Sequence, residues 1–204
     1  MKRIILPAFL CFCCIVAQAQ FSFGIKAGVN QNSVRGDKDP SGNFSFKSST
    51  GFHLGLYGSI PLSKKLSLNP ELQYIKKQLA DDYFRLNYLE LPVLFNYQIS
   101  ERFALELGPS IGQEIYIRRN PSGRRVIAVS LYDTDLDFGM IGGVKYKASN
   151  RISIVARYNY SFLPFEKFEY FDGPIPSSTN VTIETETYKF YNSSVQLSVM
   201  YRIK

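Results

Sequence analysis

The segment Arg151-Ile152-Ser153-Ile154-Val155-Ala156-Arg157-Tyr158-Asn159-Tyr160-Ser161 constrains the fold more than any other feature. Ile152, Ile154, Ala156, Tyr158 and Tyr160 share one face of an extended chain. Ser153, Val155, Arg157, Asn159 and Ser161 share the other. A two-residue period of this kind describes a strand lying between an apolar and a polar environment. The pattern recurs along the chain at 21–31, 50–60, 66–78, 85–98, 102–117, 134–147, 151–162 and 188–203. Each stretch reaches the roughly 9–11 residues that a tilted strand needs to cross a bilayer.

The connections alternate in length. Pro61–Lys65, Ile99–Glu101 and Ala148–Asn150 are short. Asn32–Ser49, Arg118–Asp133 and Leu163–Thr187 are long and rich in Gly, Pro, Ser and charge, while Leu79–Phe84 is intermediate. The expected fold is all-β: a closed antiparallel transmembrane β-barrel of about eight strands, with short periplasmic turns and long extracellular loops. An even strand number places both termini in the periplasm.

Residues 1–19 read as a signal peptide and 20–204 as the outer-membrane barrel domain. Lys2 and Arg3 supply the charged start, Ile4–Val16 the apolar run, and Ala17-Gln18-Ala19 the small-residue cleavage site. The apolar run is too short for a spanning helix. Cys11, Cys13 and Cys14 depart with the signal, so no disulfide or cysteine metal site is expected afterwards. The net charge of +7 falls to +5 without Lys2 and Arg3. An exported chain without a recognition helix excludes nucleic acid. Anionic lipid is the natural counter-charge, with outer-membrane lipid and lipopolysaccharide as expected partners.

Alternation also fits a soluble barrel with its apolar face inward. The composition of the polar face decides the orientation. Ser22, Gly24, Lys26, Gly28 and Asn30, or Ser67, Asn69, Glu71 and Gln73, are mostly small or neutral. A water-washed exterior carries many more charges, so this face suits a cramped lumen. Phe21, Phe23, Ile25, Leu54, Leu56, Leu105 and Leu107 then form a lipid-facing band.

Glycines repeat four apart at Gly24/Gly28, Gly51/Gly55, Gly108/Gly112 and Gly139/Gly143, always on the polar face. Glycine weakens a strand and needs a reason to be there. Room for Tyr57, Glu71, Glu90 and Arg157 is one reason, and relief of curvature is another. Pro70, Pro92 and Pro109 each remove a ladder donor, so bulges or slight breaks are expected there.

Tyr88-Leu89-Glu90-Leu91-Pro92-Val93-Leu94-Phe95-Asn96-Tyr97 resembles the central motif of PorT-like outer-membrane β-barrel proteins of Bacteroidetes-type bacteria. Glu106–Gly112, Asp137-Phe138-Gly139, Ala156-Arg157-Tyr158 and Phe23–Asn30 match that family's habits. The resemblance covers nearly the whole mature chain and implies fold and location. PorT itself is associated with protein secretion, and most such proteins have no assigned activity. The last strand ends Tyr201-Arg202-Ile203-Lys204 rather than on an aromatic residue.

Lys26, His53, Glu71, Glu90, Glu106, Asp137, Lys145 and Arg157 share the polar-face parity and form the expected interior network. Charge along a lumen can line an ion path. In a space that side chains of about eight strands can fill, mutual pairing is the favoured reading. His53 is the only histidine; a hydrolase would need partners within hydrogen-bond reach, and the sequence identifies none. Asp133, Asp135 and Asp137 offer oxygen ligands, but Phe138 and Val144 occupy the glycine and glutamate places of a calcium loop. No cofactor and no metal are expected. Arg118, Arg119, Arg124 and Arg125 flank a Pro–Gly turn and are a candidate anion-binding loop, where bidentate contacts could grip lipopolysaccharide phosphates. Phe162, Phe165, Phe168, Tyr170 and Phe171 form either a partner site for proteins or part of an aromatic girdle. Asn180-Val181-Thr182 and Asn192-Ser193-Ser194 match the glycosylation pattern by chance.

The expected protein is therefore non-enzymatic and monomeric, with a plugged polar interior and loops that meet partners. A narrow pore or secretion-associated component is the alternative reading, and a lipid-modifying enzyme the third.

Overall fold

The computed structural model describes residues 21–36, 48–79, 84–119, 129–130, 136–170 and 186–204. The expected signal peptide, Arg124, Arg125, Asp133, Asp135, Phe171 and the sequence Asn180-Val181-Thr182 lie outside them.

The strands are β1 (Ser22–Gly36), β2 (Ser49–Pro61), β3 (Leu66–Leu79), β4 (Phe84–Gln98), β5 (Phe103–Arg119), β6 (Val129–Ser130), β7 (Leu136–Lys147), β8 (Ile152–Tyr170) and β9 (Glu186–Arg202). The eight long ones pair antiparallel, each with its neighbour, and β9 returns to β1. That closure removes every free long edge, the condition a sheet must meet to sit in hydrocarbon. β6 adds one short rung to β8, with Val129 opposite Glu169, beyond the point where β7 has stopped pairing.

One end of the barrel carries three turns of the same construction. In Leu62-Ser63-Lys64-Lys65-Leu66, Ile99-Ser100-Glu101-Arg102-Phe103 and Ala148-Ser149-Asn150-Arg151-Ile152, the first two amides donate to the carbonyl of the last residue. The amide of that last residue donates back to the serine hydroxyl, at 3.1, 3.1 and 3.0 Å. Serine thus replaces a backbone partner inside a tight turn. The described chain ends meet at the same end, where Phe23 N donates to Lys204 O.

Side chains alternate as the sequence predicts. Leu56, Leu107 and Phe95 stand on the outside, more than half exposed in the first two cases (59 % and 57 %). Lys26, Asn69, Glu106 and Gln196 are buried on the inside. An apolar band this extensive is incompatible with water.

The three strand prolines interrupt the ladder without changing its register. Pairing of β2 with β3 passes from Tyr57–Glu71 to Ile60–Leu68, skipping Pro70. Pairing of β3 with β4 passes from Pro70–Val93 to Gln73–Glu90, skipping Pro92. Pairing of β4 with β5 passes from Pro92–Ser110 to Phe95–Leu107, skipping Pro109. Each proline keeps normal pairing on its other side. The register shift in this part of the wall lies elsewhere, where Asn87 faces Tyr116 and Tyr88 faces Glu114, leaving Ile115 over.

The strands overrun three of the expected loops. β1 continues to Gly36, β5 to Arg119 and β8 to Tyr170, so 32–36, 118–119 and 163–170 are strand. Their alternation is poor, but their backbones find partners: Arg35 opposite Tyr191, Arg118 opposite Arg85, Phe168 opposite Tyr188. Continued hydrogen bonding suffices to extend a ladder past the membrane band. The β8–β9 hairpin achieves this across two register shifts flanking Pro164. Arg35 spans that break from β1, donating to Ser161 O at 2.9 Å and Asn192 O at 3.2 Å. Its guanidinium lies 3.6 Å from the Tyr160 ring centre.

Candidate functional site

Among the described residues, buried charged side chains converge in the lumen. Arg157 of β8 stands at its centre. Its Nη1 and Nη2 donate to the two carboxylate oxygens of Glu71 on β3, at 2.8 and 2.7 Å. Its Nε donates to Glu106 Oε2 on β5 at 2.7 Å. The planar guanidinium fork suits two carboxylates at once, which an ammonium could not match.

Two lysines complete the charge pairing. Lys26 of β1 donates to Glu71 Oε2 at 3.1 Å and to Gln73 Oε1 at 2.8 Å. Lys145 of β7 lies 3.6 Å from Glu106 Oε1, which also accepts from Asn96 Nδ2 at 3.0 Å. Lys26, Glu71, Glu106 and Arg157 have side chains no more than 1 % exposed. Buried charges of this kind persist only when paired and hydrogen-bonded.

Above this ionic layer the partners become neutral. Glu90 accepts from Gln73 Nε2 and from Asn159 Nδ2, the latter at 2.8 Å. Gln73 therefore links Lys26 to Glu90. Asp137 accepts from Asn192 Nδ2 at 3.3 Å. His53 is buried, and its Nε2 sits 2.7 Å from Ser198 Oγ.

Two glycines give room to this arrangement. A Cβ on Gly143 would lie 2.7 Å from Arg157 Cγ and 2.6 Å from Ala156 O; one on Gly24 would lie 2.7 Å from the Tyr57 ring and 2.1 Å from Tyr201 O. Space for a large neighbour and close approach of the adjacent strand act together at both positions.

The structure thus gathers Lys26, Glu71, Glu106, Lys145 and Arg157 into one network and sets Glu90 one amide away. Asp137 and His53 stand apart from it. Gln73, Asn96, Asn159, Asn192 and Ser198 were absent from the expected site; the alternating parity was the signal that could have found them. Apolar groups also enter the lumen, with Ile75, Leu94 and Ile141 fully buried and Tyr57, Val155 and Met200 clustered. Of the aromatic group, Phe162 is exposed with its ring 5.4 Å from Tyr160, while Phe165, Phe168 and Tyr170 are placed only as β8 backbone. Arg118 and Arg119 close β5 at the far end from the turns.

A family model described as outer membrane protein beta-barrel domain matches residues 16–167. Three solved structures illustrate the likeness in fold. Neisserial surface protein A (NspA) has 13 % identity and a TM-score of 0.50, over 88 % of this chain and 96 % of that one. Ail, the attachment invasion locus protein of Yersinia pestis, has 13 % identity and a TM-score of 0.48, over 89 % and 98 %. The outer membrane protein OprG from Pseudomonas aeruginosa has 11 % identity and a TM-score of 0.47, over 91 % and 97 %. Among curated proteins none matches the chain.

Proposed function

The chain belongs to the family of outer membrane protein beta-barrel domains and resides in the outer membrane, and on that footing we propose a non-enzymatic role with a closed lumen and interacting loops. Its strands are its membrane spans, and the end with the short turns faces the periplasm. One observation supports closure above the others. The Arg157 network ties together residues from β1, β3, β5, β7 and β8, straight across the interior. An ion crossing the lumen would have to break contacts among groups that cannot be left unpaired. The test is conductance in planar bilayers. The wild type should hold the baseline, and steady ohmic steps would refute closure. With the lumen closed, activity passes to the loops expected outside the cell, which meet lipopolysaccharide or protein partners from a monomeric barrel.

A secretion-associated role is the second reading, supported by the PorT-like motif Tyr88–Tyr97, which here forms β4 from its middle to the periplasmic end. Detergent-solubilised membranes should then yield periplasmic or surface partners with the tagged barrel. Recovery of the barrel alone after cross-linking would reject it. The export signal adds a simple check: amino-terminal sequencing of the membrane-inserted protein should begin at Gln20.

A further inference from the structure

The periplasmic mouth of the lumen is a cavity of about 220 Å³ beneath the Arg157 network. Its lining includes Arg102, Lys145, Lys147, Arg151 and Arg202, against Glu101 as its one carboxylate side chain. Their origin is systematic. Arg102 and Arg151 occupy the same place in two of the serine turns, the residue before the strand resumes. Lys145, Lys147 and Arg202 continue the inward parity of β7 and β9. Lys145, Lys147 and Arg202 therefore face the barrel axis, whereas a lipid headgroup would meet the outer wall; Arg151 reaches back to that wall, its Nη1 donating to the Tyr201 hydroxyl at 3.4 Å.

The surplus has no internal answer. Among the described residues Arg102, Lys147, Arg151 and Arg202 have no carboxylate within 4.0 Å. The network beneath which they sit already sets Lys26, Lys145 and Arg157 against only Glu71 and Glu106. The inner wall includes Tyr57, which packs on Val155 and Met200 behind it. A cleft of one sign with low-dielectric walls focuses its field on whatever enters. Neutral donors are also at hand: Ser22, Ser59, Ser67 and Ser153 line the same cavity. One further donor lies just inside the rim, where Asn69 Nδ2 is buried without a protein partner while its Oδ1 accepts from Ser67 at 3.2 Å.

We propose that this vestibule binds a small, soluble, multivalent anion bearing phosphate or carboxylate groups, taken from the periplasm. Arginine forks and lysine ammonium groups supply charge-assisted contacts, and the serine hydroxyls complete the shell. The cavity admits a small molecule and excludes a folded partner. The site is separate from the closed-lumen reading: conductance tests that reading and anion titration tests this one, so either can fail alone.

The probe is inorganic pyrophosphate, titrated at low ionic strength into the folded full-length barrel in zwitterionic micelles. Calorimetry and backbone amide shifts provide the readout. Saturable shifts are expected at Ser22, Ser67, Lys147 and Ser153. The variant Arg102→Gln/Lys147→Gln/Arg202→Gln should lose roughly ten-fold or more in affinity, since each charge-assisted contact contributes that order of energy. Absence of saturation in the wild type overturns the proposal, as does equal affinity in the triple variant. Shifts confined to the opposite end of the barrel also overturn it. A second arm separates the sources. If phosphatidylglycerol nanodiscs shift these amides and pyrophosphate does not, the cations serve lipid and the proposal falls. If the triple variant fails to fold, the wild-type titration decides alone.

Discussion

Two layers of the same lumen solve burial in opposite ways. In the lower layer every charge has a charged partner within 3.6 Å: Lys26 with Glu71, Arg157 with Glu71 and Glu106, Lys145 with Glu106. In the upper layer the carboxylates Glu90 and Asp137 accept from amides, and several of the neutral groups around them lack a protein partner. Asn30 Oδ1, Asn159 Oδ1 and Ser194 Oγ are among them. The difference follows from the penalty each layer faces. An unpaired buried ion costs several kcal/mol, while an unpaired amide or hydroxyl costs about 1–3. Charge therefore dictates geometry in the lower layer, whereas composition in the upper layer is free to vary.

That contrast can be broken most directly at Arg157. Arg157→Ala removes the cation that Glu71 and Glu106 share, leaving them Lys26 and Lys145 alone, and should lower unfolding free energy by about 3–5 kcal/mol. The variant should still insert, and thermal unfolding in micelles should report a markedly lower midpoint. An unchanged midpoint would erase the distinction between the layers. Adding Glu71→Gln to that variant should recover part of the loss, because contacting residues are strongly non-additive. A double-mutant cycle checks this, and simple additivity would mean that the pair is not coupled.

Steric support is the next effect in size. Gly143→Val places branched carbon against Ala156 O and Arg157 Cγ, and overpacking of this kind costs about 1–3 kcal/mol. Its melting midpoint should fall less than that of Arg157→Ala. Smallest of all should be Ser194→Ala in the upper layer, opposite Asn159. It removes a hydroxyl without a protein partner and should change stability by less than about 1 kcal/mol in either direction. A loss as large as that of Arg157→Ala would show that the upper layer is as tightly specified as the lower.

Much of this was legible in the residue order. The two-residue period placed all eight long strands, because each wall position must choose between hydrocarbon and lumen. The same parity put Lys26, Glu71, Glu106 and Arg157 on one side. It could not say which of them meet. Arg157 pairs with Glu71 across the barrel, and that distance depends on tilt and stagger, which no single strand encodes. Strand ends were misplaced for a related reason. Beyond the bilayer, residues such as Arg35 and Phe168 have no apolar side to seek, so alternation fades while pairing continues. The prolines were visible as ladder gaps, but the bulge at Ile115 left no local mark. The recurring serine turns were there to be found: Leu62-Ser63, Ile99-Ser100 and Ala148-Ser149 each precede two residues and an apolar restart.

The register shifts at Pro164 carry a consequence for how this molecule can change over time. Below them, the rungs of the β8–β9 hairpin are locked to neighbours on both sides; above them, apart from Gly36 opposite Phe190 and the short β6 pairing, the hairpin among the described residues stands on its own ladder, moored by Arg35. Insertions or swaps in the upper part need not be transmitted to the wall. The surface that meets the environment can diversify while the cylinder beneath it stays fixed.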